Sequence, residues 1–381
     1  MLWHGWEEFE RSALFRRIAA FQEAYPEVQF DVQYIPMLDL QASFLMAAQD
    51  GAAPTILIGP AEWGPALYDR QFLADLSPLA SPDLLDSLNP AALNTGRYRG
   101  ALIGLPFHMN GVVLYRNKTI IPKAPATFEE LVQLSQAAMR GEVIGAILER
   151  GFFYSAGHLY GLGGELMTPA GDPAFDQDGF RSGVTWLNLM KSFEQAGPTE
   201  YLTDNDLNLF IERRAGFIIE STSKAYDLVG AIEPLNLAID PWPSYESGNL
   251  AGFVQAENLY LTPRALQEED QVSWLFFQWL LTPDSQRALS DVNLVPAISS
   301  APEVGAIDKI GNPFAAQSMI ALENGATYPI IPEMAVYNTY LDIALQTVIF
   351  QAADPLTALQ AAYDAIQAAL PGLRAAQTPS P

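Results

Sequence analysis

The N-terminal segment alternates between extended and helical patterns, and this constrains the fold more than any other feature of the chain. Met1–Trp3 is short and apolar, and Gly5 follows as a break. Glu7–Tyr25 sets Phe9, Leu14, Ile18 and Phe21 near a helical period, which predicts an amphipathic helix ended by Pro26. Val28, Phe30, Val32 and Tyr34 alternate as in a half-buried strand. Leu38–Gln49 is helical again, Gly51-Ala52-Ala53-Pro54 turns the chain, and Thr55–Ile58 is a continuous apolar strand. A β-α-β-α-β order predicts a mostly parallel sheet with helices on both faces, so the fold class is α/β.

Further along, Arg99–Pro106 and Gly111–Tyr115 read as strands, with Phe107-His108-Met109-Asn110 between them. Thr127 stands at an N-cap with Glu130 at the capping-box position. Gly141–Leu148 holds an apolar strand, and Tyr154–Asp178, rich in Gly and Pro, reads as loop. Phe180–Phe193, Asp204–Arg213, Leu266–Leu281, Ser285–Asp291 and Leu356–Leu370 are predicted helices. Gly216–Glu220, Leu235–Ile239 and Gly252–Leu261 are predicted strands, the last carrying polar residues. The end of the chain, Ala375–Pro381, closes on Thr-Pro-Ser-Pro and is predicted to be flexible.

Composition removes several functions. A chain of 381 residues suggests two or three domains. At 49% hydrophobic and 17% charged it can bury large cores. With 20 Lys+Arg against 44 Asp+Glu, the net charge of −24 repels phosphate backbones and anionic lipid, so no nucleic acid and no anionic membrane surface is expected as a partner. The absence of cysteine excludes disulfides, thiolate metal sites and cysteine nucleophiles. The three histidines, His4, His108 and His158, are scattered without metal-site spacing, so neither a metal nor an organic cofactor is expected. No apolar run reaches the ~20 residues of a membrane-spanning helix. Gly161-Leu162-Gly163-Gly164-Glu165 lacks the spacing of a nucleotide fingerprint.

Several segments, in order, resemble the family 1 extracellular solute-binding proteins of ABC transporters, the maltose-binding-like group. Phe21-Gln22-Glu23-Ala24-Tyr25-Pro26 resembles the family's first helix end, and Gly51-Ala52-Ala53-Pro54-Thr55 its Gly-x-x-Pro-Asp with Thr for Asp. Gly104-Leu105-Pro106 followed by Leu114-Tyr115-Arg116-Asn117-Lys118 is similar to its Gly-x-Pro and Leu-Tyr-Tyr-Asn-Lys, with Arg116 in an aromatic position. Pro125–Leu131, Gly163-Gly164, Phe210–Ile219 and Leu280–Leu289 match further landmarks. The family's Gly-Pro-Trp is replaced by Glu220-Ser221-Thr222, which removes a ligand-facing aromatic. The resemblance runs from Trp3 to about Leu370.

It implies a two-lobe periplasmic-binding-protein-like architecture with a hinge and an interlobe cleft. One lobe would hold residues 1–108 plus about 257–311, the other 109–256 plus about 312–370, and 371–381 would form a flexible tail. It implies no enzyme but a carrier outside the cytoplasmic membrane, a monomer handing a small-molecule sugar ligand to ABC permease subunits. Met1-Leu2-Trp3 does not read as a signal peptide, so a leader or lipid anchor is expected to be absent from this sequence.

Candidate ligand contacts sit where strands end, since carboxyl-end loops of open α/β sheets face the ligand crevice. Trp6, Glu7 and Glu8 follow the first strand, whereas Trp3 reads as core; the plain alternative makes both glutamates helix-start residues. Glu62 and Trp63 follow Thr55–Ile58, or else form an ordinary turn. Phe107 and Asn110 lie at the first crossing and serve either ligand or hinge. Gln255 and Glu257 share one face of their strand and Asn258 takes the other. A polar residue there needs a hydrogen-bond partner, which is a ligand hydroxyl or a hinge backbone group. Pro241 and Pro243 should hold Trp242 in an extended, exposed loop where it stacks on sugar or packs on protein. Tyr154, Tyr328 and Tyr337 are weaker candidates of the same kind, and Arg116 is a further possible donor.

The expected function is capture of a neutral carbohydrate, a mono- to trisaccharide. The alternatives are a sensor-type binding domain, a binder of a non-sugar solute such as a polyamine, and a glycosidase built on Glu7, Glu62 and Glu257. Elemental analysis of the purified protein should find no stoichiometric transition metal; one metal per chain would contradict the reading of its histidines.

Overall fold

A computed structural model describes residues 1–201, 205–246, 248–263, 267–302 and 304–377. In chain order its principal elements are β1 (Leu2–His4), α1 (Glu8–Ala24), β2 (Val32–Tyr34), α2 (Met37–Gln49), β3 (Ile56–Pro60), β4 (Leu105–Asn117), α3 (Phe128–Ala138), β5 (Ile144–Glu149), α4 (Phe152–Ser155), α5 (Gly157–Gly161), α6 (Arg181–Ser192), β6 (Thr199–Glu200), α7 (Asn205–Ile211), β7 (Ala215–Ser221), β8 (Leu237–Asp240), β9 (Phe253–Leu261), α8 (Gln267–Leu280), α9 (Pro283–Ser290), β10 (Val295–Pro296), α10 (Met334–Phe350) and α11 (Pro355–Gln377).

The chain divides into two compact units, one of Met1–Asn110 with Val254–Glu323 and one of Gly111–Phe253 with Asn324–Pro381. The sequence placed these boundaries after 108, 256 and 311. Strands β4 and β9 each pass from one unit into the other.

In the first unit β1 lies between β2 and β3, parallel to both, with Leu2 opposite Val32 and Ile56. Strand β9 adds antiparallel to β3 and sets Glu257 opposite Pro60. A core of Leu40, Phe44, Leu57, Leu67 and Tyr260 backs this sheet, and Trp3 belongs to it as expected. Helix α1 buries Ala13, Leu14, Ile18 and Phe21, but Phe9 is 63% exposed and not part of the predicted apolar stripe.

In the second unit β7 pairs antiparallel with β4 and parallel with β5, and β8 pairs with the other edge of β4. Its core gathers Trp186, Phe193, Phe217, Tyr337, Leu341, Leu345, Leu359 and Ile366. Helix α3 starts as its sequence dictates: Thr127 Oγ1 accepts from Glu130 N–H at 3.1 Å, and Glu130 reaches back to Ala126 N–H at 2.8 Å.

Three expectations change. The segment Phe107–Asn110 is not a break between two strands but the middle of β4, where His108 and Met109 pair with Pro296 and Val295. Tyr154–Asp178 is not all loop, since α4 and α5 are short helices there. The expected tail is helical through Gln377, and Thr-Pro-Ser-Pro at 378–381 lies outside the described residues.

Arg116 is also corrected, from a possible ligand donor to a structural ion. It is buried and makes a two-pronged pair with Asp240, at 2.6 and 2.9 Å, and its Nη1 also donates to the carbonyls of Ile121 and Pro122. A buried ion pair is most costly when only one partner is removed. Arg116→Met should therefore lower unfolding stability by about 3–5 kcal/mol, and adding Asp240→Leu should restore part of it. Denaturant melts of both variants check this; equal losses in both would contradict it.

Candidate functional site

The best-defined polar cluster of the first unit lies where β1 ends, β4 passes and β9 begins. The turn after β1 brings Trp6 over Phe107, ring centroids 5.0 Å apart and nearly parallel at 6°. Trp6 Nε1 donates to Glu257 Oε2 at 2.5 Å, and His108 Nε2 reaches the same oxygen at 3.0 Å. His4 Nδ1 accepts from Trp6 N–H at 3.1 Å and so fixes the turn that aims the indole. Burial pushes the Glu257 carboxyl upward, but the His108 contact and charge, then the Trp6 N–H, outweigh it and hold the group below the usual glutamate range. His4 goes the other way: burial and the charge of Arg11 lower it to about 4 despite Glu257, so its ring is neutral at pH 7.

Trp6 is only 5% exposed, with one face covered by Phe107, so it is a hydrogen-bond donor here and not a stacking platform. Phe107 is fully buried beneath it. Glu257 stays partly exposed. On the same face of β9, Gln255 Nε2 donates to Glu62 Oε1 at 2.9 Å. Trp63 is half-buried and lies against Gly59, where a Cβ would come within 2.7 Å of the ring. Glycine at 59 is what lets the indole lie against the strand end.

Not all the candidates face this cluster. Exposed Glu7 accepts from the Tyr34 hydroxyl at 2.6 Å, and exposed Glu8 opens α1 with φ of 33°. Asn110 is half-buried in β4. Asn258 takes the opposite face of β9, as the two-residue period requires; it is fully buried and donates to Thr95 O at 3.2 Å, so it serves the core.

The second unit carries Tyr154, Trp242, Tyr328 and Tyr337. Trp242 is not in an exposed loop: it is half-buried with its ring 4.8 Å from His158, edge to face. Tyr337 is fully buried on α10 and donates to Gly171 O at 3.1 Å, so it is a core residue. Tyr154 and Tyr328 are half-buried and each meets Phe153, at 5.3 and 5.7 Å, giving a partly open aromatic group that sequence reading did not assemble.

Beside Tyr154 lies an acidic ladder. Glu149 ends β5 and faces Glu200 of β6 in register, and the pairing of Ile147 with Ile218 carries on to Glu220 at the end of β7. Asp206 opens α7 close by. Burial first, then the charges of the neighbouring carboxylates, push Glu149 and Asp206 up to about 7, although backbone N–H groups at 150 and 151 oppose this for Glu149 and that of Leu207 for Asp206. The missed signal was positional: the predicted strand over 216–220 ends on Glu220, and Glu149 stands directly after the predicted strand 141–148.

Residues 16–315 match the family described as bacterial extracellular solute-binding protein. The chain is 24% identical to a galactooligosaccharide-binding protein of Bacillus subtilis (strain 168) over 378 residues, covering 94% of this chain and 87% of that protein. It is 25% identical to the maltodextrin-binding protein MdxE of the same organism over 335 residues, covering 83% and 76%. In structure it is similar to the cyclic alpha-maltosyl-1,6-maltose binding protein from Arthrobacter globiformis, with a TM-score of 0.81 at 19% identity, covering 97% and 98% of the two chains. At that identity the likeness shows a shared two-lobe fold.

The ladder gives a signed pH dependence. A carboxyl whose folded pKa lies above its unfolded value binds protons more tightly when folded, so its penalty is full above the folded pKa and fades as pH falls. For Glu149 the window runs from about 7 down to the ordinary glutamate value of 4.5. Glu149→Gln should raise stability at pH 8 by about 1–3 kcal/mol and leave it unchanged near pH 4.5. Thermal melts across that range check it; an equal gain at both ends would contradict it.

Proposed function

This chain belongs to the bacterial extracellular solute-binding proteins, and on that premise we propose that it captures a short neutral carbohydrate and delivers it to the membrane subunits of an ABC importer. It acts as a monomer outside the cytoplasmic membrane and breaks no bond in its ligand. The observation that carries this reading is the Trp6–Glu257–His108 cluster. Two protein donors converge on Oε2 of an ionised carboxylate, which leaves Oε1 to accept from a ligand hydroxyl. A hydroxyl brings its own donor and needs no opposite charge, which suits a neutral polyol.

Glu62, already turned by Gln255, offers a second acceptor on the same face. Trp63 supplies an apolar ring for the C–H face of a sugar. The oligosaccharide-binding relatives support the substrate class. No bound metal enters the mechanism, and the carboxylates act as acceptors throughout.

A thermal-shift screen of maltotriose, galactooligosaccharides, monosaccharides and spermidine tests the class. A saccharide should raise the melting temperature and spermidine should not; the reverse result would make this a polyamine binder. Glu257→Gln and Trp63→Ala should each weaken binding of that saccharide by roughly 1–3 kcal/mol, or about five- to 150-fold, by calorimetry. Trp242→Ala should cost less, because His158 already covers that ring. Incubation with labelled oligosaccharide should yield no product.

A further inference from the structure

The chain contains two Asn-Gly pairs, Asn110-Gly111 and Asn324-Gly325. Both fall where the chain passes from one unit into the other. An asparagine side chain can close a cyclic imide on the main-chain nitrogen that follows it. Glycine leaves that nitrogen open to approach, whereas every other asparagine here is followed by a residue whose Cβ crowds it. Closure also needs a side chain that can rotate, an N–H that serves no acceptor, and a backbone able to leave the extended conformation.

The two pairs differ on each count. Asn110 is half-buried in the middle of β4, and Gly111 N–H donates to the Thr222 hydroxyl at 3.1 Å. The ladder holds β4 on both sides of the pair, with Met109 opposite Val295 and Val112 opposite Ser221. Asn324 is exposed, in a turn between the helix Pro313–Leu322 and the short strand Ala326–Thr327. Neither its side chain nor Gly325 N–H has a hydrogen-bond partner among the described residues. The chain on either side is anchored. Leu322 O accepts from Asn89 Nδ2 at 3.0 Å, and the Glu323 carboxylate accepts from Ser300 N–H at 2.8 Å and from the hydroxyls of Ser299 and Ser300. Beyond the turn, Ala326 N–H donates to Gly252 O at 2.9 Å.

We propose that Asn324 is a self-modification site, where the third crossing converts to an isoaspartyl linkage, and that Asn110 is spared by its fold. The Gly325 nitrogen gives its proton to solvent base and attacks Asn324 Cγ. The new N–Cγ bond forms as the Cγ–Nδ2 bond breaks, and the side-chain nitrogen takes up a proton and leaves as ammonia. Water then opens the imide. Addition at Cγ gives an aspartyl residue, and addition at the main-chain carbonyl gives the isoaspartyl form, whose main chain is longer by a methylene. Either product sets a new carboxylate beside Glu323. The isoaspartyl form must also fit a longer main chain between two anchored ends, so conversion lowers stability. At Asn110 the same closure must first release Gly111 N–H and open β4, which adds the cost of local unfolding. None of this depends on the identity of the solute.

The test incubates the intact protein in mildly alkaline buffer at body temperature. Peptide mapping by mass spectrometry follows each asparagine, and methyl uptake from labelled S-adenosylmethionine through an isoaspartate-specific methyltransferase counts the isoaspartyl product. In the folded protein Asn324 should convert at least about tenfold faster than Asn110, and in guanidinium chloride the two should convert at similar rates. Asn324→Ser should remove most of the methyl uptake, and Gly325→Ala, which keeps the asparagine, should slow it severalfold. The converted fraction, separated by its added charge, should melt below the parent. No conversion at Asn324, or equal rates for the two pairs in the folded protein, overturns the proposal. A slow Asn110 in guanidinium chloride overturns the protection assigned to β4, and a converted fraction that melts with the parent overturns the cost assigned to the anchored crossing.

Discussion

An ionised carboxylate under cover is tolerable only if donors replace the water it has lost, and Glu257 meets that condition with two. The donors come from distant parts of the chain: Trp6 follows β1, 251 residues away, and His108 lies on β4, 149 residues away. One oxygen atom thus joins the end of the first strand, the first crossing strand and the second crossing strand. Neutralising Glu257 would leave Trp6 and His108 facing a weaker acceptor, and removing it would strand both. The position and charge of this carboxylate are therefore a property of the whole first unit, not of β9 alone.

The second unit handles its carboxylates in the opposite way. Glu149, Glu200 and Glu220 end adjacent strands in register, a like-charge arrangement that sheets ordinarily avoid. Burial and mutual repulsion raise Glu149 and Asp206 toward neutrality, whereas donor contacts hold Glu257 charged. The same residue type thus serves as a fixed anion in one unit and as a proton-holding group in the other. The Glu220-Ser221-Thr222 segment that replaces the family's aromatic loop sits beside Tyr154, whose hydroxyl lies 3.5 Å from Glu220.

Much of the scaffold is legible in the sequence, because periodicity and capping are local. The parallel order of the first strands, the Thr127 cap and the opposite faces of Glu257 and Asn258 all follow from residues a few positions apart. What fails is what depends on distant partners. The polar residues of Phe107–Asn110 look like a break, yet they continue the strand because Glu257 and β10 complete them from far along the chain. Trp6 looks like a stacking surface until Phe107 is seen to cover it. Prolines around Trp242 suggest exposure, but His158 comes from another segment to pack on the ring. Arg116 looks like a misplaced aromatic until the neighbouring strand brings Asp240, two residues beyond its partner Ala238, within reach of its guanidinium.

The link between Trp6 and Glu257 is open to direct measurement in ¹H–¹⁵N spectra of the indole N–H groups, of which the chain has seven. The Trp6 resonance should lie downfield of the other indoles, stay there as pH falls through the ordinary glutamate range, and move upfield in Glu257→Gln. It should also shift when a saccharide binds. A Trp6 indole at an ordinary position, indifferent to Glu257→Gln and to sugar, would contradict the central role given to this carboxylate.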